Sequence, residues 1–264
     1  MTDINIPPDH PRAGSLHIRE KLIENHLKGI VAASGLIAHG RGEAFDYLLG
    51  EKTSKPASEA VAAAVAMLLT AENPVISVNG NTAALVAKEI VGLAEVVVAK
   101  IEVNLFYRSP ERELAIKKLL EEAGAHEVFG VGKKASARIP ELSSERRRVD
   151  PRGILAADVV MVPLEDGDRT EALVKMGKKV VAIDLNPLSR TAQKATITIV
   201  DNIVRAAPRL VKIAEHLKRQ DDGKCREILR KFDNKKNLAE SITVMNKNLS
   251  KLARKSARTT SEGE

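Results

Sequence analysis

The sequence predicts an α/β layered fold built on a mostly parallel sheet, and three observations predict it. Short β-branched runs alternate with segments of helical spacing, the signature of βαβ units. The 264 residues are 44% hydrophobic and 29% charged, enough to bury a core without covalent staples. The one cysteine, Cys225, excludes an internal disulfide framework and any CxxC metal site.

The elements follow in order. Residues 6–14 carry three prolines and read as an extended arm; Leu16, Ile18, Leu22, Ile23 and Leu27 then mark a helix ending near Gly29. Ser54, Lys55 and Pro56 open an alanine-rich helix that Asn73 and Pro74 stop. Residues 75–78 read as a strand, 83–93 as helix, 96–106 as strand-like, 110–124 as a charged amphipathic helix and 127–129 as a brief strand. After these come a strong strand at 157–164, a helix at 168–176, strands at 179–185 and 196–200, and a long helix at 202–219. Right-handed crossovers put the strand-end loops along one edge, where open sheets bind ligands. Residues 1–220 are expected to form the α/β domain with its N-terminal helices, and 221–253 a helical extension on the same domain or a partner subunit. Its Leu238, Ile242, Met245, Leu249 and Leu252 make a heptad-like stripe. Residues 254–264 are expected to be a disordered tail.

Composition narrows the function. Lys and Arg (42) exceed Asp and Glu (35), a net charge of +7 that suits anionic partners. Aromatic residues are only 2%, too few for the stacking platforms of single-strand binders. The longest apolar run, 60–69, is half a membrane helix, and no secretory signal is visible, so a cytoplasmic protein without a membrane partner is expected. Segment 131–153 holds seven basic residues against three acidic ones. Its composition favours a solvated surface insertion over an anion-binding flap.

Several motifs fail on context. Gly130, Gly132 and Ala135 fit G-x-G-x-x-A by letter, but Pro140 truncates any helix that would carry the pyrophosphate. No P-loop and no G-x-S-x-G exists, and the six histidines lack metal spacing.

Three segments remain, read as loops. In 35–51, Gly40 and Gly42 flank Arg41 beside His39, so flexible amides and a guanidinium fork suit a phosphate or carboxylate, unless this is an ordinary glycine turn. Asn79, Gly80 and Asn81 lie between strand and helix, a tight turn that also presents amides to an anion. The third segment is paired. Glu165, Asp166 and Asp168 follow one strand, and Asp184, Asn186 and Arg190 follow the next. Strand-end acids accept ribose hydroxyls or hold Mg²⁺; Asp168 also reads as a helix cap, and Arg190 as a phosphate ligand or a surface ion pair.

The runs GLIAHGRGEAFDYLLGE, ENPVISVNGNTAALV, KIEVNLFYR, VPLEDGDRTEALVKMGK and IDLNPLSRTA…ITIVDNIVRA resemble the archaeal phosphopantothenate synthetase (4-phosphopantoate–β-alanine ligase) family of coenzyme A biosynthesis. The likeness spans about 6–253 and is weakest over 131–148. It implies a Rossmann-like homodimer that joins 4-phosphopantoate to β-alanine with ATP, through an acyl-adenylate, releasing pyrophosphate and then AMP. Carried over by motif, the ATP positions are Arg19, Arg41, Asp184, Leu185, Asn186, Arg190, Thr191, Asn202 and Ile203. We assign Asp184 and Asn186 to ribose or adenine, and Arg19, Arg41 and Arg190 to phosphates. Asn79, Gly80 and Asn81 take the second anion, and Arg41, Arg190 and His39 form the catalytic set. Glu165, Asp166 or Asp168 would hold Mg²⁺ or the β-alanine ammonium. The competing readings are another nucleotide-dependent α/β enzyme acting on a phosphorylated metabolite, and a basic nucleic-acid-binding module using 131–153.

Overall fold

In the computed structural model, which describes residues 6–140 and 142–261, three helices precede the first strand: α1 (Ala13–Leu27), α2 (Ala33–Leu49) and α3 (Lys55–Leu69). Then come β1 (Pro74–Val78), α4 (Gly80–Val97), β2 (Lys100–Val103), α5 (Pro110–Glu122) and β3 (Val128–Phe129). A short hairpin, β4 (Ala137–Arg138) and β5 (Arg148–Val149), leads to β6 (Val159–Pro163), α6 (Gly167–Lys175), β7 (Lys179–Ile183), α7 (Arg190–Lys194) and β8 (Ile197–Ile199). Helices α8 (Ile203–Leu217), α9 (Asp222–Lys231) and α10 (Asn234–Ser261) close the described chain. None is long and apolar enough to cross a membrane.

The main sheet has six strands in the order β3-β2-β1-β6-β7-β8, every neighbouring pair parallel. This is a Rossmann-like doubly wound order, with its switch point between β1 and β6. Strand composition explains its burial: β1 and β6 are buried along their whole length, as a two-sided parallel sheet requires. Ile76, Val78, Met161, Val181 and Ile183 face one layer, where α3, α4 and α8 pack through small residues such as Ala63, Ala64 and Ala206. Val75, Val160, Val162, Val180 and Ala182 face the other, where α6 meets Ile139, Leu142, Val149 and Ile154.

That second layer corrects the reading of 131–153 as a solvated insertion. The segment runs between β3 and β6, where a doubly wound fold commonly has a helix, and its apolar residues cover the sheet face that helix would cover. Its charged residues dominate composition, while a few well-placed Ile, Leu and Val decide its position. Glu102 on β2 anchors it: the buried carboxylate accepts the backbone N–H groups of Asp150 (3.0 Å) and Ile154 (2.6 Å).

Two boundaries also differ from expectation. The strand-like run 96–106 contains only β2, because Leu93, Ala94 and Val97 continue the buried face of α4 and override β propensity. Helix α4 is kinked at Val86, and Lys21 Nζ donates to the Leu85 carbonyl at that kink (2.8 Å). Of the C-terminal stripe, Leu238 and Met245 are buried beside Leu49 and Leu185, whereas Leu249 and Leu252 are exposed. Of the expected tail, 262–264 lie outside the described residues; the backbone before them continues α10.

Candidate active site

A cleft of about 550 Å³ lies at the carboxyl ends of β1, β6, β7 and β8, walled by α2. It contains His39, Arg41, Asn79, Gly80, Asn81, Glu165, Asp166, Asp184, Leu185, Asn186, Arg190, Thr191, Asn202 and Ile203. Arg41 and Arg190, separated by most of the chain, therefore share one cavity within a single protomer. Arg19 and Asp168 do not line it.

At the switch point, Asn79 caps α4, its side chain accepting the Thr82 N–H (3.0 Å). The same carboxamide donates to the carbonyls of Pro163 (3.0 Å) and Leu164 (3.1 Å), tying β1 to the end of β6. Asn81 donates to the Gly35 carbonyl (2.9 Å), and a Cβ on Gly35 would collide with the Asn81 side-chain oxygen. Both carboxamides thus hold the walls together. The first turn of α4 still offers backbone N–H groups that lack intrahelical acceptors.

The segment 35–51 is not a loop. Residues 35–49 belong to α2, and the Gly40 and Gly42 amides are used within the helix, so Arg41 offers its guanidinium alone. Periodicity missed this because two of the three buried residues, Glu43 and Asp46, are acidic, with only Leu49 apolar. Glu43 is held by Arg19 (2.7 Å) and by the Tyr47 hydroxyl (2.9 Å), which is why Arg19 lies away from the cleft. Asp46 accepts from Asn202 (2.8 Å) and pairs with Arg205 (2.6 Å), which also pairs with Asp201. This network fixes α2 against the start of α8. Burial pushes the His39 imidazolium pKa down, so the ring is neutral near pH 7.

On the β7 side, Asp184 accepts the Asn186 N–H (2.9 Å) and the Ser189 hydroxyl, while burial pushes its carboxyl pKa up. Ser189 caps α7 and thereby sets the position of Arg190, which pairs with the exposed Asp168. Gly167 makes room for that arginine: a Cβ there would lie 2.7 Å from its side chain. Thr191 donates to the Glu165 carbonyl (3.0 Å) and links the β6 and β7 loops.

Three carboxylates that sequence reading offered to a metal have other partners. Glu165 is fully buried between Arg146 and Arg169, burial pushing its carboxyl pKa up against the pull of both cations. Asp166 caps α6 and contacts Arg146 (2.9 Å), and Asp168 faces Arg190. Among the described residues no group of three or more His, Cys, Asp or Glu is arranged to hold a metal ion. The trio therefore does not fit a protein-built Mg²⁺ cage.

Sequence reading also passed over cleft residues. Arg146 comes from the basic 131–153 segment, with a side chain only 9% exposed. Arg112 comes from α5, and Phe106 and Tyr107 from the loop after β2. The surplus of basic residues over acidic ones in 131–153 was the one available signal for Arg146; nothing in the spacing of α5 singles out Arg112.

A switch-point cleft carrying four guanidinium groups, Arg41, Arg112, Arg146 and Arg190, defines a Rossmann-like α/β protein suited to anionic ligands. Comparison with known proteins narrows the class. The family model described as phosphopantothenate/pantothenate synthetase matches residues 56–248, and the chain belongs to this family of enzymes. A relative from Thermococcus onnurineus, named 4-phosphopantoate–beta-alanine ligase, is 55% identical over 250 residues, 95% of either chain. Relatives of the same name from Thermococcus kodakarensis (55% over 251 residues, 95% of either chain) and Methanosarcina mazei (51% over 253 residues, 96% of this chain and 98% of that one) are similarly close.

Proposed function

We propose that this enzyme condenses 4-phosphopantoate with β-alanine to 4′-phosphopantothenate at the expense of ATP. The observation that carries the reading, beside the relatives' names, is that Arg41 and Arg190 share a cleft with Asp184 and Asn186 on one half of the sheet and Asn79–Asn81 on the other. The nucleotide takes the β6-β7-β8 half: Asp184 and Asn186 bind ribose or adenine, Thr191, Asn202 and Ile203 line its seat, and Arg41 and Arg190 hold phosphates. Arg19 acts through Glu43 and α2. The Asn79–Asn81 turn faces the second anion.

The carboxylate of 4-phosphopantoate attacks the α-phosphorus, and the bond to pyrophosphate breaks. The β-alanine amine then attacks the acyl carbon, AMP leaves, and the amine proton goes to His39, whose burial keeps it neutral. Mutual repulsion opposes this encounter of anions, and fixed guanidinium groups offset it. Positioning both reactants supplies roughly 7–11 kcal/mol of the barrier. A Mg²⁺ ion would have to be held mainly by the triphosphate, because the described carboxylates build no cage for it, and it would supply further charge neutralisation.

The test is product analysis. AMP is expected only when ATP, 4-phosphopantoate and β-alanine are present together; ADP instead would replace the adenylate with an acyl phosphate. Arg41→Ala and Arg190→Ala should each lower kcat/KM roughly 100-fold or more with little change in thermal unfolding, because an exposed pair such as Arg190–Asp168 contributes at most about 1 kcal/mol. Wild-type rates in either variant would remove that arginine from the site.

We also propose that the protein is cytoplasmic and forms a homodimer, the latter through exposed apolar residues: Ile23 and Leu27 of α1, Ile37 of α2, and Leu249 and Leu252 of α10. Residues 1–220 would form the catalytic unit and 221–253 its helical extension. Light scattering on the purified chain decides the oligomeric state.

A further inference from the structure

Arg112 differs from the other cleft arginines in what surrounds it. It lies in the first turn of α5, behind the Ser109 cap, on the half of the sheet away from Asp184 and Asn202. Its guanidinium donates to the carbonyls of Tyr107 and Ile30 (3.0 Å), both neutral. Among the described residues no carboxylate pairs with it, and its Nε is buried without an acceptor. Arg146 has Glu165 and Asp166, Arg190 has Asp168, and nearby Arg108 has Glu113 (3.2 Å). Among the described residues Arg41 has no ion pair either, but it is exposed, so water offsets its charge.

A half-buried guanidinium cannot shed its proton, and leaving it without an anion is costly. Here the surroundings keep it in place. A Cβ on Gly80 would collide with the Ile30 carbonyl and lie 3.2 Å from Arg112 Nη2, so the arginine is pressed against the first turn of α4. That turn, opening an 18-residue helix, favours negative charge at the same spot. Fork and helix end converge where a doubly charged group gains most.

We propose that Arg112 is the specificity-determining residue for the acid substrate, gripping its phosphate ester at the end remote from the reacting carboxylate. This rests on the ligase reading above and goes beyond it by assigning the phosphate a residue. The competing anion is the carboxylate of β-alanine, a single charge that would use the fork alone.

The experiment is a three-substrate KM profile for wild type, Arg112→Met and Arg112→Lys. KM does not depend on the concentration of active enzyme, so partial misfolding leaves the readout intact. Arg112→Met should raise KM for 4-phosphopantoate about 10- to 100-fold, the loss of charge-assisted hydrogen bonds. KM for ATP and β-alanine should stay within about threefold. Arg112→Lys keeps the charge without the fork and should fall between; it carries the test alone if the Met variant does not fold. A rise confined to β-alanine, equal rises for all three, or an unchanged profile overturns the assignment. Failure of the wild-type enzyme to join 4-phosphopantoate to β-alanine would instead overturn the ligase reading.

Discussion

Gly35 and Gly40 sit five residues apart in α2, yet their surroundings demand opposite things. A Cβ on Gly40 would meet nothing within 4 Å, so Gly40→Ala should add about 0.5–1 kcal/mol of helix stability. A Cβ on Gly35 would strike Asn81 and displace the hydrogen bond joining α2 to α4; Gly35→Ala should cost about 1–3 kcal/mol. Thermal denaturation of the two variants separates these outcomes, and equal destabilisation would contradict the helical assignment. Arg41, His39, Asp184 and Arg190 were legible as chemistry because polar side chains in unusual company stand out in a string. Arg112 was not: although Glu111 and Glu113 flank it in the chain, no carboxylate among the described residues pairs with it, which only packing reveals.

Segment 131–153 shows how an element hides in its composition. Its basic residues marked it as surface, but a parallel sheet needs both faces covered, and Ile139, Val149 and Ile154 cover one. Glu102 supplies a test of that anchorage. Burial pushes its carboxyl pKa to about 7, above the ordinary 4.5, so between those values the folded state binds more protons than the unfolded one. The stability it confers is therefore complete below about 4.5 and is lost as the pH rises through about 7. Urea unfolding at pH 5 and pH 8 should show this fall, and Glu102→Gln should flatten it. An equal pH slope in both proteins would place the titration elsewhere.

The order β3-β2-β1-β6-β7-β8 sets strand ends from two halves of the chain beside one cleft. A nucleotide seated there as proposed would bridge α2, the β7 loop and α8, and so should stabilise the whole fold. At a concentration of 100 Kd, ATP is expected to add about 2.7 kcal/mol, read as a rise in Tm that Arg41→Ala diminishes; a Tm insensitive to ATP would argue against this seat. The sequence by itself determined the α/β class, most helix and strand positions and the chemical types at the strand ends, because caps, β-branched runs and turn residues act locally. Tertiary structure alone decided that 35–49 is helical with an acidic buried face and that 131–153 belongs to the core. It also decided that Glu165 is locked between two arginines and that Arg112 pairs with no carboxylate among the described residues. Each of these depends on which remote group lies within a few ångströms, and spacing along the chain carries no record of that.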